Sequence, residues 1–253
     1  MTQTVALTRC CLHFFRFSVV NTKPFTDDFG FTNFSDKRKA DITSNVVSLL
    51  QVGAFFGALG GGYICGKLGR KNGLFVGSLI FLIGSIAQTV AMHDLAPMYA
   101  GRVIAGFGVG IMSVICPTYV AEMAPKNVRG KITGMFQIVV VVGVAASYWL
   151  EYIISVSPIK HKSSSWRVPI GAQCFPCVIM LMLLPLIRES PRWLITKGRE
   201  EQALANLAWA RKRGIEDPRV LEEYAEMQAA HREEVETTAG TSWKECLAPG
   251  MKV

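Results

Sequence analysis

Hydrophobic positions along this chain gather into long unbroken runs rather than alternating or half-faced patterns. Five stretches carry no charged residue: Val46–Ile64, Leu74–Met92, Val103–Ala121, Ile132–Leu150 and Val168–Ile187. Each is 19 or 20 residues long. At about 1.5 Å rise per residue such a helix covers roughly 28–30 Å, the hydrocarbon thickness of a bilayer. In lipid every backbone N–H and C=O must be bonded within its own segment, so the runs are expected to be helices. The pattern predicts an all-α membrane protein with five transmembrane helices over 46–187. An N-terminal segment, 1–45, precedes them and a tail, 188–253, follows.

The tail is of a different kind. Of the 46 Lys, Arg, Asp and Glu in the 253 residues, 23 lie between Arg188 and Val253. Glu200–Arg213 and Pro218–Glu236 have helix-forming compositions, separated by Gly214 and Asp217-Pro218. Glu222 to Glu226 and Glu233 to Glu236 crowd acids on faces expected to be exposed. The net charge of +8 belongs to the rest of the chain, where residues 1–187 carry 16 basic against 7 acidic side chains. This excess sits in short loops between apolar runs, which suits lipid headgroups and excludes a nucleic-acid surface. Counting ten basic residues against seven on the two sides, the loops 65–73 and 122–131 and the tail are expected on the cytoplasmic side.

The N-terminal segment is less regular. Cys10–Val20 is apolar but interrupted by His13 and Arg16, too short for a span and lacking the cleavage site of a signal peptide. It is expected to be a truncated first helix, with Cys10 and Cys11 available for lipidation. Asn33-Phe-Ser35 is a glycosylation sequon on the expected outer side.

Several motifs have simple structural explanations. Gly106-Phe-Gly-Val-Gly110 lacks the third glycine of a dinucleotide loop, and its small residues suit close helix packing instead. Cys174-Phe-Pro-Cys177 has redox spacing but lies inside a span, without the further Cys or His a metal would need. Neither cofactor nor metal is expected. With no nucleophile–base pair in view, neither is enzymatic chemistry.

The remaining signals belong together. They are the loop Gly66-Lys-Leu-Gly-Arg-Lys-Asn-Gly73, then Gly101-Arg102 with Pro117, Tyr119, Glu122, Ala124, Pro125, Arg129 and Gly130. Trp166-Arg-Val-Pro-Ile-Gly-Ala-Gln173 and Glu189-Ser-Pro-Arg-Trp-Leu194 follow. In this combination the chain resembles the sugar porter family of the major facilitator superfamily, with the fungal hexose-transporter type nearest. The resemblance runs from about Val46 to Arg213.

The resemblance implies twelve helices in two halves with substrate held between them at the midplane. This chain matches helices two to six and the cytoplasmic helical linker of the N-terminal half. By the same resemblance Gln137 matches a glutamine that hydrogen-bonds sugar hydroxyls. Amides suit that task because they both donate and accept without placing charge in a pore. Val140 and Val144 share its helical face, and Val144 stands where the family has a second glutamine. Arg70, Lys71, Glu122, Arg129, Glu189 and Arg192 match the cytoplasmic charge network that latches the two halves. Arg102, at the outer helix end, matches an arginine linked to conformational state, with a lipid-head anchor as its other reading.

The expected function is sugar transport, of a hexose or related polyol, by alternating access in the plasma membrane. The expected partners are a small-molecule sugar, the bilayer, and either self-association or a missing C-terminal half. Two alternatives stand beside it. One is a transport-incompetent fragment or sugar sensor; the other is a carrier of quinate type, which a basic residue at the midplane would favour.

Overall fold

The computed structural model describes residues 23–30, 34–91, 94–125, 128–158 and 164–238. The truncated first helix, Cys10, Cys11 and the Asn33 sequon lie outside the described residues. The chain divides into two units, 1–188 and 189–253. Among the described residues there is helix and no strand.

The first unit holds a short helix α1 (Lys23–Asp28) and then α2 (Asp36–Leu68), α3 (Arg70–Val90), α4 (Leu95–Met123), α5 (Arg129–Val156), α6 (Ser164–Ala172) and α7 (Cys174–Leu183). Five segments are long and apolar enough to cross a membrane, the fifth being α6, α7 and a 3-10 turn at Leu184–Leu186 taken together. They cover the five uncharged runs to within two residues at the ends, but α2 reaches well beyond its run. Its 33 residues extend about 50 Å, because the polar stretch from Asp36 is good helix outside the apolar slab.

The last span is not one clean helix. Gln173 separates α6 from α7 while keeping helical dihedrals (φ −65°, ψ −27°). Pro176 has no N–H to offer the carbonyl four residues back, so the ladder opens there.

Glycine sets the spacing of the main packing. A Cβ on Gly57 of α2 would run into the backbone carbonyl of Phe107 on α4, and one on Gly110 of α4 would meet the carbonyl of Ala54 on α2. On the other side of α4, Gly84 of α3 faces the backbone of Ala105. Helix α4 is thus clamped between α2 and α3 with backbones nearly touching. Where lipid supplies no hydrophobic drive, this is how helices gain dispersion contact. Phe81, Ile111, Ile115, Cys177 and Met180 fill the core around it.

Some of the buried polar groups are bonded to the backbone. Ser78 donates to the carbonyl of Leu74 at 2.6 Å, and Gln88 donates to Gly84 (3.1 Å) and Gly101 (3.0 Å). The last of these ties α3 to α4.

At one end of the bundle, α1 docks through aromatic rings. Trp166 is fully buried, edge-on to Phe25 at 5.6 Å and close to Phe29. Its indole N–H donates to an oxygen of Asp28 at 2.7 Å, so the polar corner of the ring is satisfied out of water.

The second unit contains α8 (Pro191–Thr196), α9 (Glu200–Arg211) and α10 (Pro218–Thr238). Two of these match the tail helices expected from composition; α8 is an addition to them. Ser190 and Pro191 start it, since a proline in the first turn loses no bond that a helix would have made. Trp193, Leu194, Ile195 and Ala203 form its small core with Tyr224 and Met227.

Candidate functional site

The first candidate is the stripe on α5. Gly143 and Ser147 are buried, and Val140 and Val144 are half-buried. Ser147 donates to the carbonyl of Gly143 at 3.0 Å, a local solution to the burial of its hydroxyl. Gln137 continues the stripe toward the start of the helix, where it is exposed. It lies about 12 Å into a helix of about 42 Å, flanked by exposed Met135 and Ile138. Its amide therefore keeps both donor and acceptor capacity for a neighbour outside the unit.

The second candidate is the charged end where α2, α3 and α4 meet. Gly69 joins α2 to α3 with φ at +91°, a backbone state that side chains other than glycine rarely hold. That turn aims Arg70 at Glu122 near the end of α4. The two pair through two guanidinium nitrogens and both carboxylate oxygens, at 2.9 and 2.6 Å. Their side chains are only 16 % and 11 % exposed, so solvent screens this pair weakly. The remaining guanidinium nitrogen of Arg70 donates to the carbonyl of Cys65 at 3.4 Å.

Neighbouring groups meet other open backbone carbonyls, one in the 3-10 turn and one just beyond it. Lys71 donates to the carbonyl of Pro185 at 3.1 Å, and the Tyr119 hydroxyl donates to that of Arg188 at 2.9 Å. Cations at the carboxyl ends of helices sit well with the dipole there.

The expected charge network is thus partly assembled. Arg70, Lys71 and Glu122 share one end of the first unit. Arg129 opens α5, and its side chain lies outside the description. Glu189 and Arg192 belong to the second unit, where a carboxylate oxygen of Glu189 accepts from the backbone N–H of Ser190 at 3.1 Å and its carbonyl accepts from Asn206 at 3.0 Å.

Arg102 is 2 % exposed, eight residues into α4. That burial contradicts the lipid-head anchor, which requires a side chain at the headgroup level. Beside it, Gly101 and Ala105 bring the backbones of α3 and α4 close together.

Three features escape sequence reasoning. Tyr119 is a motif residue whose spacing names no partner. Arg211 and Glu223 of the tail pair through both arms at 2.8 and 2.6 Å, although Glu223 lies in a stretch of acids that composition alone puts on an exposed face. Gln173 is buried, and its amide nitrogen has no hydrogen-bond partner among the described residues. The spacing of Arg211 and Glu223 across a turn gives no periodic signal.

No group of three metal-ligating side chains occurs among the described residues. Comparison with known proteins decides the family. Residues 1–251 match the model of the family described as sugar (and other) transporter. This chain belongs to that family. A probable quinate permease of Aspergillus fumigatus is 37 % identical over 231 residues, 89 % of this chain and 42 % of that protein. A quinate permease of Neurospora africana is 33 % identical over 227 residues, 88 % of this chain and 42 % of that protein.

Among solved structures, the major facilitator proton:xylose symporter XylE bound to 6-bromo-6-deoxy-D-glucose superposes with a TM-score of 0.78 at 25 % identity. The match covers 94 % of this chain and 54 % of XylE. A partially occluded inward-open form of XylE from E. coli gives 0.76, covering 92 % and 59 %. The family member therefore has the fold of part of a major facilitator carrier and spans about two fifths of the length of the curated relatives it matches. Those relatives are permeases and transporters, not enzymes, and the chain is an integral membrane protein of sugar-transporter type.

Proposed function

We propose that this chain supplies the Gln137-bearing wall of a carrier for a polyhydroxylated ring, and that the ring is quinate or a close relative rather than a free hexose. The observation that carries the choice is the likeness of 33–37 % to quinate permeases, well above the 25 % to the xylose symporter. The second reading, a neutral sugar, rests on that symporter's fold and on the absence of any Lys or Arg within the five uncharged runs.

Gln137 acts by hydrogen bonding alone. Its carbonyl accepts from one ring hydroxyl and its NH2 donates to the next, while Val140 and Val144 give the ring an apolar shelf. Charge on a carboxylated ring is met from the second half of the carrier. Binding differs between the inward-open and outward-open states by a few kcal/mol, which is enough to shift the population between them. The Arg70–Glu122 end faces the cytoplasm and closes against the second half when the carrier opens outward, with Arg129 in the same latch.

The test is uptake of radiolabelled quinate and radiolabelled glucose in transport-deficient yeast. The chain is expressed alone and together with the second half of a quinate permease. Saturable quinate uptake is expected only in co-expression, and Gln137→Ala should reduce it at least about tenfold with unchanged surface protein. Glucose uptake with equal or better efficiency would transfer the conclusion to the sugar reading. Uptake of neither would sink the proposal.

A further inference from the structure

The last span leaves the membrane unit through a stretch of chain that does little to hold itself. Helix α7 gives way to the 3-10 turn Leu184–Leu186, and Ile187 is extended (φ −92°, ψ 151°). Residues 187–190 then have no regular structure before α8 begins. Leu184 is buried and Ile187 packs partly against the core, but Leu186 and Arg188 are exposed. Pro185, inside the turn, has no N–H to contribute.

Two side chains from neighbouring helices close on this exit. From the start of α3, the Lys71 ammonium donates to the Pro185 carbonyl at 3.1 Å. From the last turns of α4, the Tyr119 hydroxyl donates to the Arg188 carbonyl at 2.9 Å. That second carbonyl has a particular place, because Arg188 is the last residue of the first unit and Glu189 the first of the second. Tyr119 therefore holds the carbonyl of the peptide bond that joins the units.

The two arms stand on a firm base. Lys71 follows Arg70 and Tyr119 lies one turn before Glu122, the residues that pair across α3 and α4. Their tips are different: both bonds are solvent-exposed, so water can replace either one while the bundle stays packed.

We propose that Lys71 and Tyr119 form a clamp on the joint between the two units. With both bonds made, the root of the tail is part of the bundle. With the Tyr119 bond broken, residues 187–190 become a free joint about which the tail unit turns. Tyr119 is thus a positioning residue for the tail, acting through one backbone carbonyl.

A protease reads the clamp directly. Trypsin cuts the Arg188–Glu189 bond by taking the same carbonyl into its own oxyanion site, so a carbonyl held by Tyr119 is withheld from it. The full chain in phosphatidylcholine nanodiscs is treated with limiting trypsin, and the fragment beginning at Glu189 is followed by mass. Cleavage there follows the open population. Tyr119→Phe removes one hydroxyl and should speed this cut at least about fivefold, and Lys71→Met should speed it about threefold. Cleavage after Lys197, exposed within the tail, is the internal reference and should not change. Hydrogen exchange of the amides in 187–190 reads the same opening where trypsin is slow, with the same expected factors.

Unchanged cleavage and exchange in Tyr119→Phe would overturn the proposal. So would equal acceleration after Lys197, which marks an unfolded tail rather than a released joint. Should Tyr119→Phe fail to fold, as thermal unfolding in the same discs would reveal, Lys71→Met decides by the same comparison.

Discussion

Helices α4 and α5 are close in length and mean apolar character, yet one is gripped and the other is merely attached. Helix α4 is enclosed by α2 and α3 along glycines, and its buried side chains run from Met98 to Cys116. Helix α5 leaves Met135, Ile138, Val141, Trp149 and Ile153 exposed, Trp149 to 66 %. The difference shows that apolar content decides whether a segment enters the bilayer, while residue size decides what it packs against. The residue expected to bind substrate lies on the attached helix and the buried arginine on the gripped one. On the proposed reading, recognition and framework are carried by separate helices.

The contrast is broken most severely at the glycines. Gly57→Leu would push a side chain into a backbone carbonyl that cannot yield, and should cost about 3 kcal/mol or prevent assembly. Gly134→Leu on α5, where nothing lies within 4 Å, should leave stability unchanged. Thermal unfolding in detergent reads both, and equal losses would mean that α5 is held as tightly as α4.

The Arg70–Glu122 pair comes next. Removing either partner leaves a poorly solvated charge, so Arg70→Ala and Glu122→Ala should each cost about 2 kcal/mol, somewhat below a fully buried pair. The double variant should cost less than the sum, and a double-mutant cycle with no coupling would show the pair to be incidental.

Trp166→Phe keeps an aromatic ring but deletes the bond to Asp28 and leaves a small cavity, for an expected loss of about 1–2 kcal/mol. Hydrogen exchange across α1 should rise with it, and unchanged protection would place the grip in the rings alone.

The smallest effect is in the tail. Asp217 heads α10, accepting from Arg213 at 2.7 Å and from the backbone N–H of Arg219 at 3.0 Å. These bonds hold its carboxyl below the usual aspartate range, the Arg213 side chain contributing most. A depressed carboxylate contributes stability above its unfolded pKa and loses it as pH falls through the folded one. Protection of the first turn of α10 should therefore fall on acidification through that window, and Asp217→Asn should flatten the dependence.

The spans are legible in the sequence because an uncharged run of bilayer length admits few other structures. Their ends are not, since nothing in hydropathy stops a helix such as α2 from continuing through Asp36–Asn45 into water. The break at Gln173 is hidden among prolines that helices tolerate in many places. The glycines of α2 and α4 can be recognised as contact surfaces, but which helix each meets depends on the three-dimensional arrangement. At the charged end, likeness to a known family brings Arg70 and Glu122 into one group. Their direct pairing across 52 residues comes only from the turn at Gly69. The burial of Arg102 is invisible for the same reason: a charge near the start of a span looks identical whether it faces lipid or a neighbour.

The glycine contacts between α2 and α4 also act as a notch. A slide of one helix past the other short of a full turn, about 5.4 Å, would move Gly53 and Gly57 off the carbonyls of Val103 and Phe107 that they now pass. Three helices engaged in this way resist shifts smaller than a turn, and are expected to tilt together as one plank.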